Sequence, residues 1–452
     1  MSLIKFFSTN GHFERVDFRQ ALLMGQAPDK GLFMPEQIPR IPESIIEEFP
    51  QMSYAQIAYE VVKPYLGDLI ADSALRNMLQ DAYNYEIPME RVYDEKYVLR
   101  LDQGPTCSFK DFAARLMGRM IQYFLKEDGK SIIILTATSG DTGSAVAHAF
   151  FDLDNIKVIV LFPEKEVTAR QRRQMTTLGK NIFPLAIDGK FDDCQALVKQ
   201  AFADPELLGL NLSSANSINI GRLLPQAVYY FYARSRAALH GEAIVFSVPS
   251  GNFGDLMGGL IAMKMGLPVH KFVVATNEND EFPRFMQTGV YEPIRPSKNC
   301  ISNAMNVGHP SNLARLFCLY GGQMDETGQV SKQPDLIAMH KDLYAVSITD
   351  DVTRQTIKEA YSQYGVLLEP HGAVAWAGLV KYLNECGDWC PCISLETADP
   401  AKFPEEIVRL TGINPALPQV MARLDDLEEH FETMNGDYAS LKNYLGRFLT
   451  EV

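Results

Sequence analysis

SIIILTATSGDTGSAVAHAFF, residues 131–151, decides the fold. Its first part, SIIILTA (131–137), is apolar and β-branched without alternation, which predicts a strand buried on both faces. A glycine-bearing loop, TSGDTG, follows at once, and then a small-residue helix, SAVAHAFF. The same order recurs along the chain. KVIVLFP (157–163) precedes TARQRRQMTTLG, and IFPLAIDG (182–189) precedes DDCQALVKQAF. AIVFSVP (243–249) runs into SGNFG and the helix DLMGGLIAMKMG; KFVVATN (271–277) and CISLETA (392–398) complete the series. Strand, loop and helix repeated in this way predict an α/β fold of parallel sheets flanked by helices. In such sheets ligands sit at the carboxyl ends of the strands, so the loops that follow strands are where chemistry is expected.

Working outward, residues 1–95 read as a mainly helical N-terminal domain, on amphipathic segments such as MSYAQIAYEVVKPYL (52–66). Residues 96–240 and 241–410 form the two α/β regions. The irregular stretch 280–345 reads as an insertion able to move over the site, and 411–452 as a helical tail with an acidic, solvated face. A length of 452 residues suits two or three domains.

The formal net charge of −14 argues against a nucleic-acid partner, because phosphate backbones select basic surfaces. It leaves room for a small anionic ligand in a locally positive pocket. No run of 18 apolar residues exists, so no membrane span is expected. The start, MSLIKFFSTNGHFERVDF, lacks the apolar core of a secretory signal. Seven scattered cysteines fit reduced thiols in a cytoplasmic protein. Cys386, Cys390 and Cys392 lack a nearby fourth ligand, so they read as packing thiols and no metal is expected. Monomer and homodimer both remain open.

Five motifs carry chemistry. VPSGNFGDL (248–256) ends a strand, brackets Asn252 and Phe253 with Gly251 and Gly254, and starts a helix. Backbone N–H groups and a helix N-terminus make this a phosphate cradle without a lysine, or else a tight structural turn. It is neither G-x-x-x-x-G-K-[ST] nor G-x-G-x-x-G, which disfavours nucleoside triphosphates and dinucleotides. In ATSGDTGSAVAHA (137–149), Ser139, Asp141 and Thr142 lie at a helix N-terminus that can hold a carboxylate. The plainer reading is helix capping by Thr138, Ser139 or Asp141. In DQGPTCSFKDFAAR (102–115), Lys110 sits between Phe109 and Asp111–Phe112 just before a helix. Most lysines are solvated charges, but a desolvated one becomes a nucleophile toward an aldehyde. SANSINIGRLLPQ (214–226) gathers Asn216, Ser217, Asn219 and Arg222, donors suited to a phosphate or simply to a capped helix. In SLETADPAKF (394–403), Thr397 could meet a heterocyclic nitrogen or merely satisfy a strand end.

Taken together and in this order, SFKDF, TSGDTG, NSINIGRLLPQ, PSGNFGD, EPHGAVA (369–375) and TADPAKF resemble the threonine synthases of the larger bacterial and fungal branch. The resemblance extends to DKGLFMPE (29–36), NENDEFPRF (277–285) and SNAM (302–305), nearly the whole chain. It implies the tryptophan-synthase-β-like fold, fold type II of the pyridoxal-phosphate enzymes, and conversion of O-phospho-L-homoserine and water into L-threonine and phosphate. It implies that Lys110 carries pyridoxal 5′-phosphate as a Schiff base. Gly251, Asn252, Phe253 and Gly254 would hold the cofactor phosphate, and Thr397 would face the pyridine nitrogen. Ser139, Asp141 and Thr142 would receive the substrate carboxylate; Asn216, Ser217 and Arg222 would bind the substrate phosphate. Many relatives have His where Asp399 stands. Two other readings compete: another fold-type-II lyase such as a serine or threonine dehydratase, and a catalytically silent binding protein on the same scaffold. A dehydratase would not need a second phosphate site.

Overall fold

The computed structural model describes residues 3–450 apart from 239, 240, 388 and 390. Two sheets organise it. The larger has six strands in the order Leu343–Ser347, Val269–Thr276, Ile244–Pro249, Cys392–Glu396, Lys96–Arg100 and Met89–Tyr93. The first five run parallel, and only Met89–Tyr93 is antiparallel to its neighbour. The smaller has five parallel strands in the order Glu432–Asn435, Ile182–Asp188, Ile156–Pro163, Ile132–Ala137 and Leu212–Ser213. The strands expected from unbroken apolar runs are the central ones. Ile132–Ala137 and Ile244–Pro249 are buried at every position, as burial on both faces requires.

The helices between strands start where their caps dictate. Ser53 and Gln56 form a reciprocal capping box ahead of Tyr54–Leu66, and Thr168 with Gln171 does the same for Ala169–Thr176. Helix Gly254–Lys264 is apolar almost all round because it is enclosed between the large sheet and helix Ala227–Ala237. Its one buried acid, Asp255, accepts hydrogen bonds from the Tyr229 and Tyr230 hydroxyls at 2.5 and 2.6 Å.

Several boundaries differ from those expected. The N-terminal region is mainly helical, with helices Phe18–Met24, Glu43–Glu48, Tyr54–Leu66 and Asp72–Ala82, but its last residues and its core are shared with the rest of the chain. Met89–Tyr93 is an edge strand of the large sheet, and Phe6, Phe33, Tyr65 and Leu79 belong to the same core as Phe112, Phe246 and Leu395. Lys96–Arg100 also belongs to the large sheet, so the chain crosses between sheets within 96–240. Stretch 280–345 contributes to the main core, where Phe282, Phe285, Leu313 and Phe317 are fully buried. The tail is not purely helical. Glu432–Asn435 pairs in parallel with Ile182–Asp188 as an edge strand, a choice made by the waiting sheet edge. Nor is its acidic run wholly solvated, since Glu429 takes a bidentate pair from Arg172 at 2.9 and 3.0 Å and a bond from the Thr176 hydroxyl at 2.7 Å.

Among the described residues no helix is long and apolar enough to cross a membrane, and no cluster of His, Cys, Asp or Glu could hold a metal ion. Cys386 is exposed and Cys392 buried; Cys390 lies outside the described residues.

Candidate active site

The carboxyl ends of the two sheets face one another, and polar bonds join the loops that leave them. From the large sheet come loop 250–254 after Ile244–Pro249 and the segment 397–402 after Cys392–Glu396. From the small sheet come loop 138–140 after Ile132–Ala137 and loop 214–219 after Leu212–Ser213. Asn252 Nδ2 donates to Ser217 Oγ at 2.5 Å, and Lys402 Nζ donates to Asp141 Oδ1 at 2.8 Å. Each of these bonds spans the two sheets.

Lys110 lies between them as the first residue of helix Lys110–Asp128. The preceding segment is pinned at its backbone: Phe109 N donates to the Thr397 carbonyl at 2.9 Å, and Ser108 pairs with Ala398. The side chain is 13% exposed, with Nζ 3.9 Å from Asp141 Oδ2 and 4.7 Å from the centre of the Phe109 ring. Burial pushes the Lys110 amine below its ordinary value; Asp141 opposes this, and the positive charges of Lys402 and Arg222 reinforce it. A lysine that sheds its proton more readily is a usable nucleophile and base.

Loop 250–254 is shaped for close approach. Phe253 takes the left-handed conformation, φ 60°, and its ring packs edge-on against Phe282 at 5.0 Å. Asn252 is held on three sides: Ser311 N donates to its Oδ1 at 2.7 Å, Asn312 Nδ2 to its carbonyl at 2.9 Å, and its own amide reaches Ser217. The first turn of helix Gly254–Lys264 therefore follows a loop fixed on three sides. A Cβ on Gly251 would lie 2.8 Å from Met305 Cα and 2.9 Å from the Ala304 carbonyl oxygen. That neighbouring backbone cannot yield easily, because Ala304 N is bonded to His371 Nε2 at 3.1 Å. Since Nε2 accepts, the His371 proton sits on Nδ1, which donates to Glu369 Oε2 at 2.5 Å. If this loop holds the pyridoxal-phosphate group that the sequence resemblance implies, Gly251→Ala should distort it and weaken cofactor retention by roughly tenfold or more, from an overpacking cost of about 1–3 kcal/mol. Equilibrium dialysis of the cofactor checks this; unchanged retention means the loop is not the phosphate site.

The other sequence-derived residues divide into two groups. Arg222 and Ser217 keep unused donor capacity. Arg222 is 3% exposed, with Nη1 donating to the Ala215 carbonyl at 2.6 Å and Nε without a partner. No carboxylate is ion-paired with it among the described residues, and burial pushes its guanidinium down to about 10. Asn216 and Asp141 are instead occupied. The Asn216 side chain bonds the Thr136 hydroxyl and the Ala137 carbonyl. Asp141 Oδ1 accepts from Lys402 and, at 3.0 Å, from Gln171 Nε2. Thr138 performs the capping in this loop, its Oγ1 accepting from Gly140 N at 2.9 Å and Gly143 N at 2.7 Å. Ser139 and Thr142 are half-buried and make no side-chain hydrogen bond among the described residues. Thr397 is buried, its hydroxyl 3.4 Å from Glu369 Oε1.

Three family descriptions match the chain. "Threonine synthase N terminus" covers residues 5–83, "Pyridoxal-phosphate dependent enzyme" covers 90–393, and "Threonine synthase, C-terminal" covers 372–445. The threonine synthase of Serratia marcescens is 38% identical across 98% of this chain and 99% of its own. The chain belongs to the threonine synthase family. The crystal structure of pyridoxal-phosphate-bound threonine synthase from Brucella melitensis superposes with a TM-score of 0.91 at 35% identity, covering 99% of this chain and 100% of that one. The threonine synthase structure from Escherichia coli gives 0.88 at 38% identity, covering 98% and 100%. The chain is thus a pyridoxal-phosphate-dependent lyase of fold type II, and full-length agreement with threonine synthases favours that activity over the dehydratase and silent-scaffold readings.

Set in a threonine synthase, the residues present suit the cofactor: a desolvated lysine, a glycine loop whose space a single Cβ would fill, and a buried hydroxyl at Thr397. Sequence reasoning passed over several neighbours. Lys402 and Glu369 lay inside the quoted motifs TADPAKF and EPHGAVA but drew no role. Arg315, fully buried, offered no sequence signal at all; it donates to the carbonyls of Phe33, Ser217 and Ile218 at 3.1, 3.0 and 2.6 Å and to Asn312 Oδ1 at 2.7 Å. It ties the N-terminal region, loop 214–219 and stretch 280–345 into one support beneath Asn252.

Asp399, where many relatives were expected to carry His, caps the turn Pro400–Lys402 through Ala401 N at 2.8 Å. Burial pushes its carboxyl up to about 6. Against an unfolded value of about 3.9, the folded chain keeps a proton that the unfolded chain has lost across that window. This contribution to stability is complete below pH 4 and is lost as pH rises through 6, on the order of 2 kcal/mol. Asp399→Asn should remove this fall, because the amide oxygen can still cap. Urea midpoints of parent and variant at pH 4, 5 and 6.5 check it: their difference should change across the series, and a constant difference excludes the shift.

Proposed function

We propose that the substrate is O-phospho-L-homoserine and the products are L-threonine and phosphate. The observation that carries this is the pair of anion-ready places converging on Lys110: the glycine loop 251–254 at a helix N-terminus, and the buried, unpaired guanidinium of Arg222. They are linked by the Asn252–Ser217 bond. A cofactor phosphate uses one, and a phosphorylated substrate accounts for the other.

Bound pyridoxal phosphate supplies an electron sink for the pair left when a carbon-bound proton is removed. In this reading Lys110 fixes the cofactor, and its amine then takes the proton from substrate Cα and returns protons along the chain of the substrate. Gly251, Asn252, Phe253 and Gly254 hold the cofactor phosphate. Thr397 meets the ring nitrogen with a hydroxyl rather than a carboxylate. Ser139 and Thr142, with the N-terminus of helix Asp141–Phe150, receive the substrate carboxylate. The Asp141 carboxylate, already committed to cations, contributes through its backbone position. Ser217 and Arg222 hold the leaving phosphate, and Asn216 shapes their loop from the strand end it is bonded to. The reading places the reaction in the cytoplasm, with a small-molecule substrate and no nucleic-acid partner.

A phosphate-release assay with O-phospho-L-homoserine tests this. Stoichiometric release of phosphate with L-threonine is expected, with little ammonia from L-threonine or L-serine. Ammonia release without turnover of the phosphorylated substrate overturns it.

A further inference from the structure

Asp141 is shared between two lysines from different parts of the fold. Its Oδ1 is hydrogen-bonded to the fully buried Lys402 at 2.8 Å and to Gln171 at 3.0 Å, while its Oδ2 faces Lys110 at 3.9 Å. One negative charge therefore serves two positive ones. Lys402 stands on the short turn Pro400–Lys402 after a strand of the large sheet, whereas Asp141 opens a helix after a strand of the small sheet. We propose that Lys402 is a positioning residue: its ammonium engages Asp141 so that this carboxylate steers the Lys110 amine without capturing it as a tight ion pair. The inference rests on the reading of Lys110 as the cofactor lysine.

The physical argument is one of competition. A buried carboxylate beside a single lysine forms a close pair and keeps that lysine protonated. With Lys402 and Gln171 both on Oδ1, the attraction left for Lys110 is weaker, and the Lys402 charge opposes a proton on Lys110 directly. The other charged groups that bear on Lys110 are Arg222, which acts in the same direction as Lys402, and Glu369 and Asp255, whose negative charges act in the opposite one. Asp141 stays ionised: burial would raise its carboxyl, but the charges of Lys402 and Lys110 and the bonds from Lys402 and Gln171 hold it well below the usual carboxylate range. Lys402 in turn stays protonated, since Asp141 more than offsets its burial. Lys402 is thus the permanent cation of the pair, and Lys110 is the amine left available.

The alternative is a purely structural clasp between the two sheets. The two differ in sign. The full-length chain is freed of cofactor, and the rate of covalent attachment of pyridoxal 5′-phosphate is followed by absorbance against pH; the inflection reports the free amine. Lys402→Met should move the inflection up by about one pH unit or more, and Asp141→Asn should move it down by a similar amount. Lys402→Arg should leave it near the parent value. The double variant Asp141→Asn/Lys402→Met strands no buried charge, and its inflection should lie above that of Asp141→Asn alone. It provides the comparison if Lys402→Met alone does not fold. Shifts in the same direction for both single variants, or stability losses with unmoved inflections, overturn the proposal. Borohydride reduction of the loaded parent with peptide mass mapping separates this from the underlying reading. If the label maps to a lysine other than Lys110, that reading fails whatever the variants do.

Discussion

Lys110→Ala should abolish covalent attachment of pyridoxal phosphate and lower turnover of O-phospho-L-homoserine by about 10⁴-fold or more, near the upper range for removing a positioned acid–base group. The loss should be this complete because the nearest other amine cannot substitute. Lys402 is held by Asp141 at 2.8 Å and kept protonated by it, so it lacks the lone pair that attack on an aldehyde requires. The fold should survive, since Lys110 is the first residue of its helix and Phe109 and Ser108 are fixed through backbone bonds that alanine retains. Absorbance of the loaded protein, mass after borohydride reduction and phosphate release are the measurements. A variant that keeps the bound-cofactor band and normal turnover would sink the assignment.

The second large effect concerns Arg222. A guanidinium buried to 3% exposure without a carboxylate partner is costly, and burial depresses its proton affinity, so an incoming dianion is the partner it lacks. A charge-assisted hydrogen bond is worth about 1.5–3 kcal/mol, so Arg222→Ala should cost roughly tenfold to a few hundredfold in kcat/KM. Arg222→Lys should recover part of the loss, as a point charge cannot reproduce the two-pronged fork. Retention of pyridoxal phosphate should be nearly unchanged, because loop 251–254 is a separate structure. The plain alternative at the level of sequence, an exposed salt-bridge arginine, does not suit a buried side chain with no ion pair among the described residues. A remaining structural role, holding the Ala215 carbonyl, would lower thermal stability by about 1 kcal/mol and leave kcat/KM within about twofold. Steady-state kinetics, melting and cofactor content measured on the same three proteins decide between them.

Some of this was legible because the physics is local. The apolar, β-branched-rich runs at 132–137 and 244–249, bounded by turn signals, read as buried strands, and the glycine loops after them fall at the sheet's carboxyl end. TSGDTG, GNFGD, SFKDF and TADPAKF therefore placed their residues along the chain before any contact was known. Where tertiary context sets the outcome, local reading fell short. ETMN at 432–435 carries no strong strand signal and becomes a strand because the edge of Ile182–Asp188 is open to it. Met89–Tyr93 joins the large sheet for the same reason.

The sequence by itself determined the α/β class, the loops that carry chemistry and the identity of Lys110 as the candidate nucleophile. The class follows from periodicity and the loops from glycine geometry at strand ends, while the choice of Lys110 rests on its aromatic flanks together with the resemblance of the ordered motifs to one family. Only the tertiary structure decided which side chains are committed and which remain available. Asp141 and Lys402 are 261 positions apart, and Ser217 and Asn252 are 35 apart. Their pairing depends on how two sheets face each other. That same packing removes the water which would otherwise screen their charges, so it also sets which amine near Asp141 keeps its proton and which gives it up.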